Sequence, residues 1–334
     1  MKALVYTAPN TMRYRDEADP ARGAGEVVIE VEAVGICGSD MHAFHGHDPR
    51  RVPPLILGHE LAGTIVEGEG VGRRVTVNPL ITCGRCEYCV TGRDNLCANR
   101  TMIGMTRAGG FAERMSIPAS SVIDLPPTMD ARTAALTEPA ATGLHALNLA
   151  MRALARPLPE TRALVIGGGA VGLLVALLAR AYGCLDVTVA ETNALRRESA
   201  VNAGDLRVVD PSTEPGVADS SVGLVIDAVG GKATRAAALK AVKPGGVIVH
   251  IGLMDWASEI DMRKLTLAEI TLIGTYTYTM ADLRATVRAL DAGVYGTLDW
   301  VEERALEEGA SAFADLDAGR SGAAKILLRP RGYA

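Results

Sequence analysis

RALVIGGGAVGLLVALLARAYGCLDVTVAE, residues 162–191, reads as a strand, a glycine turn, a helix and a second strand. In this reading Gly167 makes the tight turn and Gly169 lets the backbone approach a pyrophosphate. Gly172 allows close helix–strand contact, and Ala170 and Val171 open a helix whose N-terminus attracts negative charge. A glycine pattern alone is weak; its place between an apolar strand and an apolar helix gives it weight. Glu191 ends the next strand, 19 residues after Gly172. A carboxylate there accepts from both ribose hydroxyls of an adenosine and repels a 2'-phosphate, so the expected cofactor is NAD. Arg196 and Arg197 keep two alternatives open: a guanidinium that accepts such a phosphate, or Arg196 lying over the adenosine, with Glu191 then a solvated strand end.

Outward from this stretch, apolar runs alternate with helical segments at 163–167, 186–191, 206–210, 222–227, 246–252 and 271–276. Six strands separated by helices predict a doubly wound parallel sheet. Residues 1–140 differ, with short β-rich runs at 2–6, 26–34, 61–67 and 74–78 broken by Gly, Pro and Asp. After about 277 come a helical stretch at 281–291 and a final strand at 324–328, a tail expected to return to the first domain. A chain of 334 residues suits two domains, and the cleft between them is the natural site.

With a formal net charge of −5 and basic residues no denser than pairs such as Arg50-Arg51, nucleic acid is excluded as an expected partner. No apolar run reaches about 18 residues and the first residues lack a signal-peptide pattern, so no membrane partner and a cytoplasmic location are expected. Of six cysteines, five lie in the first third of a long chain, which favours metal thiolates over a disulfide framework. Cys184 reads as a buried small apolar side chain.

Cys83, Cys86, Cys89 and Cys97 have the spacing to enclose one Zn2+ tetrahedrally with no coordination position left over, hence a structural site. An iron–sulfur cluster is the alternative, disfavoured because nothing else in the chain suggests an electron path. A second constellation is dispersed: Cys37 in GICGSDMH, His59 and Glu60 in GHE, and Glu138 in TEPAATG. A thiolate, an imidazole and a carboxylate make a three-ligand zinc site whose fourth position admits substrate. Singly each is weak, since a lone cysteine is usually packing and Glu138-Pro139 also suits a helix start.

With all three motifs in this order, the chain resembles the zinc-containing medium-chain dehydrogenase/reductase family of alcohol, sorbitol, xylitol and threonine dehydrogenases, over essentially its whole length. The resemblance implies an α/β protein. A GroES-like β-barrel catalytic domain would comprise 1–140 and 277–334, with a Rossmann doubly wound parallel six-stranded sheet at 141–276. It implies NAD and two Zn2+ per chain, one catalytic and one structural. Cys37 and His59 become zinc ligands and Glu60 the adjacent carboxylate. Glu138 stands where classical alcohol dehydrogenases have cysteine and the sorbitol branch has glutamate, which points to a polyol substrate. Which of Glu60 and Glu138 binds directly stays open.

By the same resemblance Ser39 receives the substrate proton and His42 ends the relay; a turn residue and a surface imidazole are the plainer readings. Asp40 fixes their loop. Ile251, Gly252 and Leu253, with Val229 in the preceding turn, hold the nicotinamide. Tyr278 matches a substrate-side tyrosine, although Thr277 replaces the arginine that animal sorbitol dehydrogenases carry before it. Phe44 opens a loop, 44–51, bordering the substrate cleft; its histidines and arginines read as a solvated charged surface, or else as recognition of an anionic substrate. His145 reads as helix packing.

The expected activity is hydride transfer from a secondary alcohol, a polyol or polyol phosphate, to NAD. The alternatives are an L-threonine or simple secondary-alcohol dehydrogenase, a zinc-free quinone reductase, and a non-catalytic nucleotide-binding regulator. The family likeness further implies a homodimer or homotetramer paired through the sixth strand.

Overall fold

The computed structural model describes residues 1–214 and 216–331. A six-stranded, wholly parallel sheet runs in the order Arg207–Val209, Asp186–Ala190, Arg162–Ile166, Val222–Asp227, Val242–His250, Thr271–Gly274. Successive residues face opposite sides of a strand, and each face has its own core. Ala163, Val165, Leu224 and Ile226 pack with the helices Thr137–Ala153 and Ala170–Ala181. Leu164, Ile166, Val225 and Ile248 pack with Ala238 and Leu239 of Lys232–Ala241. Two buried faces explain why these strands read as unbroken apolar runs. The strand order reverses between Arg162–Ile166 and Val222–Asp227, which opens a crevice beyond their carboxyl ends.

The other lobe is mostly antiparallel. Glu26–Gly35 pairs with Glu60–Glu67, Arg114–Pro118 and Lys325–Arg329, so the end of the chain returns to its beginning, with Leu328 opposite Val34. Its core centres on Leu4, Ile29, Leu61, Phe111 and Phe313.

Two expected strand limits shift. The boundary expected at 140/141 falls within the continuous helix Thr137–Ala153, which would run from one lobe into the other. The run at 246–252 is a strand only to His250; the backbone N–H groups of Ile251 and Gly252 both converge on the carbonyl of Asp227, the last residue of the neighbouring strand. The run at 271–276 ends at Gly274, and Thr277 takes a positive φ of 47°. The next helix, Met280–Asp291, is closed by Thr279 and Asp282, which satisfy each other's exposed N–H groups.

Candidate active site

Cys37 precedes the short helix Gly38–Phe44, where Asp40 Oδ2 accepts the Cys37 backbone N–H at 3.0 Å. The other Asp40 oxygen faces His59 Nδ1 at 3.5 Å, and both atoms are buried without a hydrogen-bond partner. His59 directly precedes the strand that Glu60 opens, and Gly58 before them takes a positive φ of 91°. One ligand atom each from Cys37, His59 and Glu60 lies within 4.8 Å of the others.

The structure adds a partner that sequence reasoning missed. Lys325, on the returning strand, is buried and donates Nζ to the Ile36 carbonyl at 2.8 Å and to Glu60 Oε2 at 2.5 Å. Burial works against its charge, yet Glu60 and Cys37 raise its pKa. Its only sequence signal is a lysine opening an apolar strand, KILL. The ion pair leaves Glu60 Oε1 buried without a hydrogen-bond partner. Burial also opposes a charged His59, but the Asp40 carboxylate and Cys37 outweigh it and hold the imidazole well above its ordinary value. A cysteine sulfur, an imidazole, an orphaned carboxylate oxygen and surroundings that favour positive charge fit a divalent zinc ion.

Glu138 lies in the first turn of Thr137–Ala153, so the helix-start reading and the site reading both describe it. Its Oε1 accepts from the buried Tyr278 hydroxyl at 2.7 Å, and it stands outside the compact donor set. Burial, reinforced by Glu60, pushes its pKa up to about 7 against the opposing pull of His59, Tyr278 and Lys325.

Ser39 lies beside the donor set, and its Oγ accepts from Arg51 Nη2 at 3.2 Å. His42 is partly buried; burial and then the neighbouring His47 and His45 lower its pKa. Phe44 is turned away from the donors into the β-lobe core, 5.5 Å from Phe313 between ring centroids. The loop expected to be a solvated charged surface is only partly so. Arg50 is exposed against Asp48, and His45 pairs with Asp317 at 2.7 Å, but Arg51 and Asp48 are buried together at 2.7 Å. His145 bonds Asp282 of the neighbouring helix, and Cys184 is fully buried.

On the crevice side, Gly167 has a φ of 100° and a Cβ on Gly172 would stand 1.9 Å from the Gly167 carbonyl, so turn and helix approach as the spacing demands. Gly169, Ala170 and Val171 begin the twelve-residue helix there. Glu191 Oε2 accepts from the Gly168 N–H at 2.8 Å, and Oε1 from the Asn193 N–H at 2.7 Å and Arg196 at 3.2 Å. Burial raises its pKa, but these donors more than reverse that, so the carboxylate is held ionised. Arg197 is committed to Asp210 and to backbone carbonyls. Val229 packs at the Gly167 turn, Ile251 and Gly252 lie across from it, and the Leu253 side chain points to solvent, 73% exposed.

Cys83, Cys86, Cys89 and Cys97 converge within 4.8 Å, with sulfur separations of 3.5 Å for Cys86–Cys89 and 3.9 Å for Cys83–Cys89. These distances exclude disulfides and suit a shared ion. Backbone N–H groups of Arg85 and Cys86 pull Cys83 down to about 6, which favours a thiolate.

Two family models match the chain: the alcohol dehydrogenase GroES-like domain over 23–127 and the zinc-binding dehydrogenase over 170–292. The chain is 32% identical to L-galactonate-5-dehydrogenase of Escherichia coli K12, covering 88% of each. It is also 32% identical to L-threonine 3-dehydrogenase of Pyrococcus horikoshii, covering 82% of each. A protein of Sinorhizobium meliloti 1021 described as a zinc-binding dehydrogenase, solved with NADP bound, superposes with a TM-score of 0.88 at 30% identity, covering 98% of this chain and 99% of that one.

Proposed function

The chain belongs to the zinc-containing medium-chain dehydrogenase/reductase family, and from that premise we propose an NAD-linked enzyme oxidising a secondary alcohol of a polyol, a polyol phosphate or a sugar acid. The observation that carries this is the convergence of Cys37, His59 and Glu60 beside Ser39. A nucleotide-binding regulator has no use for such a donor set. The division proposed with it is a catalytic lobe of 1–140 and 277–334 around a cofactor lobe of 141–276.

Zinc held by Cys37, His59 and Glu60 would supply Lewis acidity toward the alcohol oxygen, and NAD bound over Gly167–Gly172 would supply the hydride acceptor. Asp40 orients the His59 ring, and Lys325 fixes Glu60 with one oxygen directed inward. Ser39 Oγ takes the substrate proton, and His42, whose pKa burial and the neighbouring His47 and His45 lower, hands it on toward solvent. Glu138, bonded to Tyr278, acts on the donor set through water, with Glu60 as the direct ligand.

Glu191 supports NAD over NADP, because it stays ionised and engages the nearer arginine, while Arg197 is held by Asp210. The S. meliloti structure carries NADP, so the preference needs measurement. Absorbance at 340 nm is to be followed with a panel of polyols, polyol phosphates, L-galactonate, L-threonine and simple secondary alcohols, with each cofactor. The expected result is turnover of a polyhydroxy substrate with kcat/KM at least roughly tenfold higher for NAD, narrowed in Glu191→Ala by about tenfold, the equivalent of one lost carboxylate contact of about 1.4 kcal/mol. Turnover of L-threonine alone would favour the second reading, which rests on the threonine dehydrogenase relatives.

A second copy is proposed along the edge strand Thr271–Gly274, where Leu272 is exposed, as are Met262 and Leu267 of the preceding helix Met262–Leu267. No helix among the described residues is long and apolar enough to cross a membrane.

A further inference from the structure

Arg51, in the 44–51 loop, fits neither expected reading. At 3% exposure it is too buried to meet an incoming anion, and it is no solvated side chain. Its Nε donates to the Gly104 carbonyl at 3.0 Å; its Nη1 donates to Asp48 Oδ2 at 2.7 Å and to the Ser39 carbonyl at 3.2 Å. Those three contacts are enough to pin the loop. The fourth lands elsewhere: Nη2 donates to Ser39 Oγ at 3.2 Å.

A serine hydroxyl has one hydrogen and two lone pairs. A guanidinium only donates and never loses its charge, so it takes one lone pair and turns the hydroxyl hydrogen away from itself. What remains is one lone pair and one O–H, the two directions a relay needs. As the substrate hydroxyl passes its proton to the free lone pair of Ser39 Oγ, the original Ser39 proton departs along the O–H toward the next acceptor, and the serine ends neutral.

We propose that Arg51 is a positioning residue for proton transfer, fixing the Ser39 hydroxyl so that its free lone pair faces the substrate. The inference rests on the dehydrogenase reading above. The test is a double-mutant cycle on kcat, using whichever panel alcohol the unaltered enzyme oxidises fastest. Arg51→Lys keeps the charge beside Asp48 but loses the fork. It is expected to lower kcat by roughly tenfold to a hundredfold, as misplaced relay groups do, with KM for alcohol and NAD changed less than about twofold. In a Ser39→Ala background the same substitution is expected to cost less than about twofold. Independently of turnover, crystals of Arg51→Met are expected to show Ser39 in more than one rotamer; should that variant fail to fold, crystals of Arg51→Lys provide the same reading. An equal cost in both backgrounds, an unchanged kcat, or a single Ser39 rotamer in the variant overturns the proposal while leaving the dehydrogenase reading intact. If the unaltered chain oxidises no alcohol in the panel, both fall.

Discussion

Replacing Cys37 by alanine is expected to lower kcat for alcohol oxidation by roughly a thousandfold or more, with the fold retained. Cys37 sits at the start of a short helix of the β lobe, and Ala43 and Phe44, not Cys37, fill the core beneath that helix. Deleting the sulfur therefore creates little packing defect. What it removes is one of the three converging donors, and with it stabilisation of developing negative charge on the substrate oxygen. Lewis-acid stabilisation of that kind is worth several kcal/mol, and about 4 kcal/mol is close to a factor of a thousand. Steady-state rates alongside circular dichroism and zinc analysis check this. Wild-type kcat in a variant with one zinc fewer would contradict it.

A second large effect is expected from Cys97→Ser, this time on stability. The cysteine lobe has almost no core of its own: the helix Glu87–Val90 buries none of its residues, and the turn Asp94–Leu96 buries only Asn95. Thiolates on a shared ion would do here what apolar area does elsewhere. The lobe also supports the segment that carries Tyr278. Asn95 donates to the Tyr276 carbonyl at 2.8 Å, Asp94 accepts from the Met280 N–H at 3.2 Å, and the Arg100 guanidinium lies 4.6 Å from the Tyr276 ring centroid. Losing the ion should cost at least about 3 kcal/mol, a fall in melting midpoint of roughly 6 to 12 °C for a catalytic lobe of about 200 residues. Proteolysis should then begin between residues 83 and 97. Calorimetry and limited proteolysis check both; a midpoint unchanged within about 2 °C would show that the lobe stands without its ion.

The contrast between these two sites mirrors what could be read before the structure. The cysteine lobe and the Gly167–Gly172 turn are local, so their spacing in the chain carries their geometry. The Cys37, His59 and Glu60 set is assembled from separate segments, and its meaning came from their combination with the other motifs. Lys325 was out of reach because a charged residue opening a strand looks the same whether it faces water or Glu60 from 265 positions away. Arg51 was misread for a related reason. Composition makes the loop look solvated, whereas its guanidinium is buried by the Gly104 carbonyl and by Ser39, neither of them in that loop. The strands stop at 250 and 274 although the apolar runs go on: beyond His250 two successive N–H groups share the Asp227 carbonyl, and beyond Gly274 the backbone bends through the positive φ of Thr277.

The most direct test of the account counts zinc and turnover together. Protein as purified is dialysed stepwise against a chelator, and at each step zinc per chain, NAD reduction with the best alcohol of the panel, and circular dichroism are recorded. Activity is predicted to fall in proportion to the loss of one of two zinc ions and to return on adding zinc, while the spectrum holds. Full activity persisting after that ion has gone would contradict it.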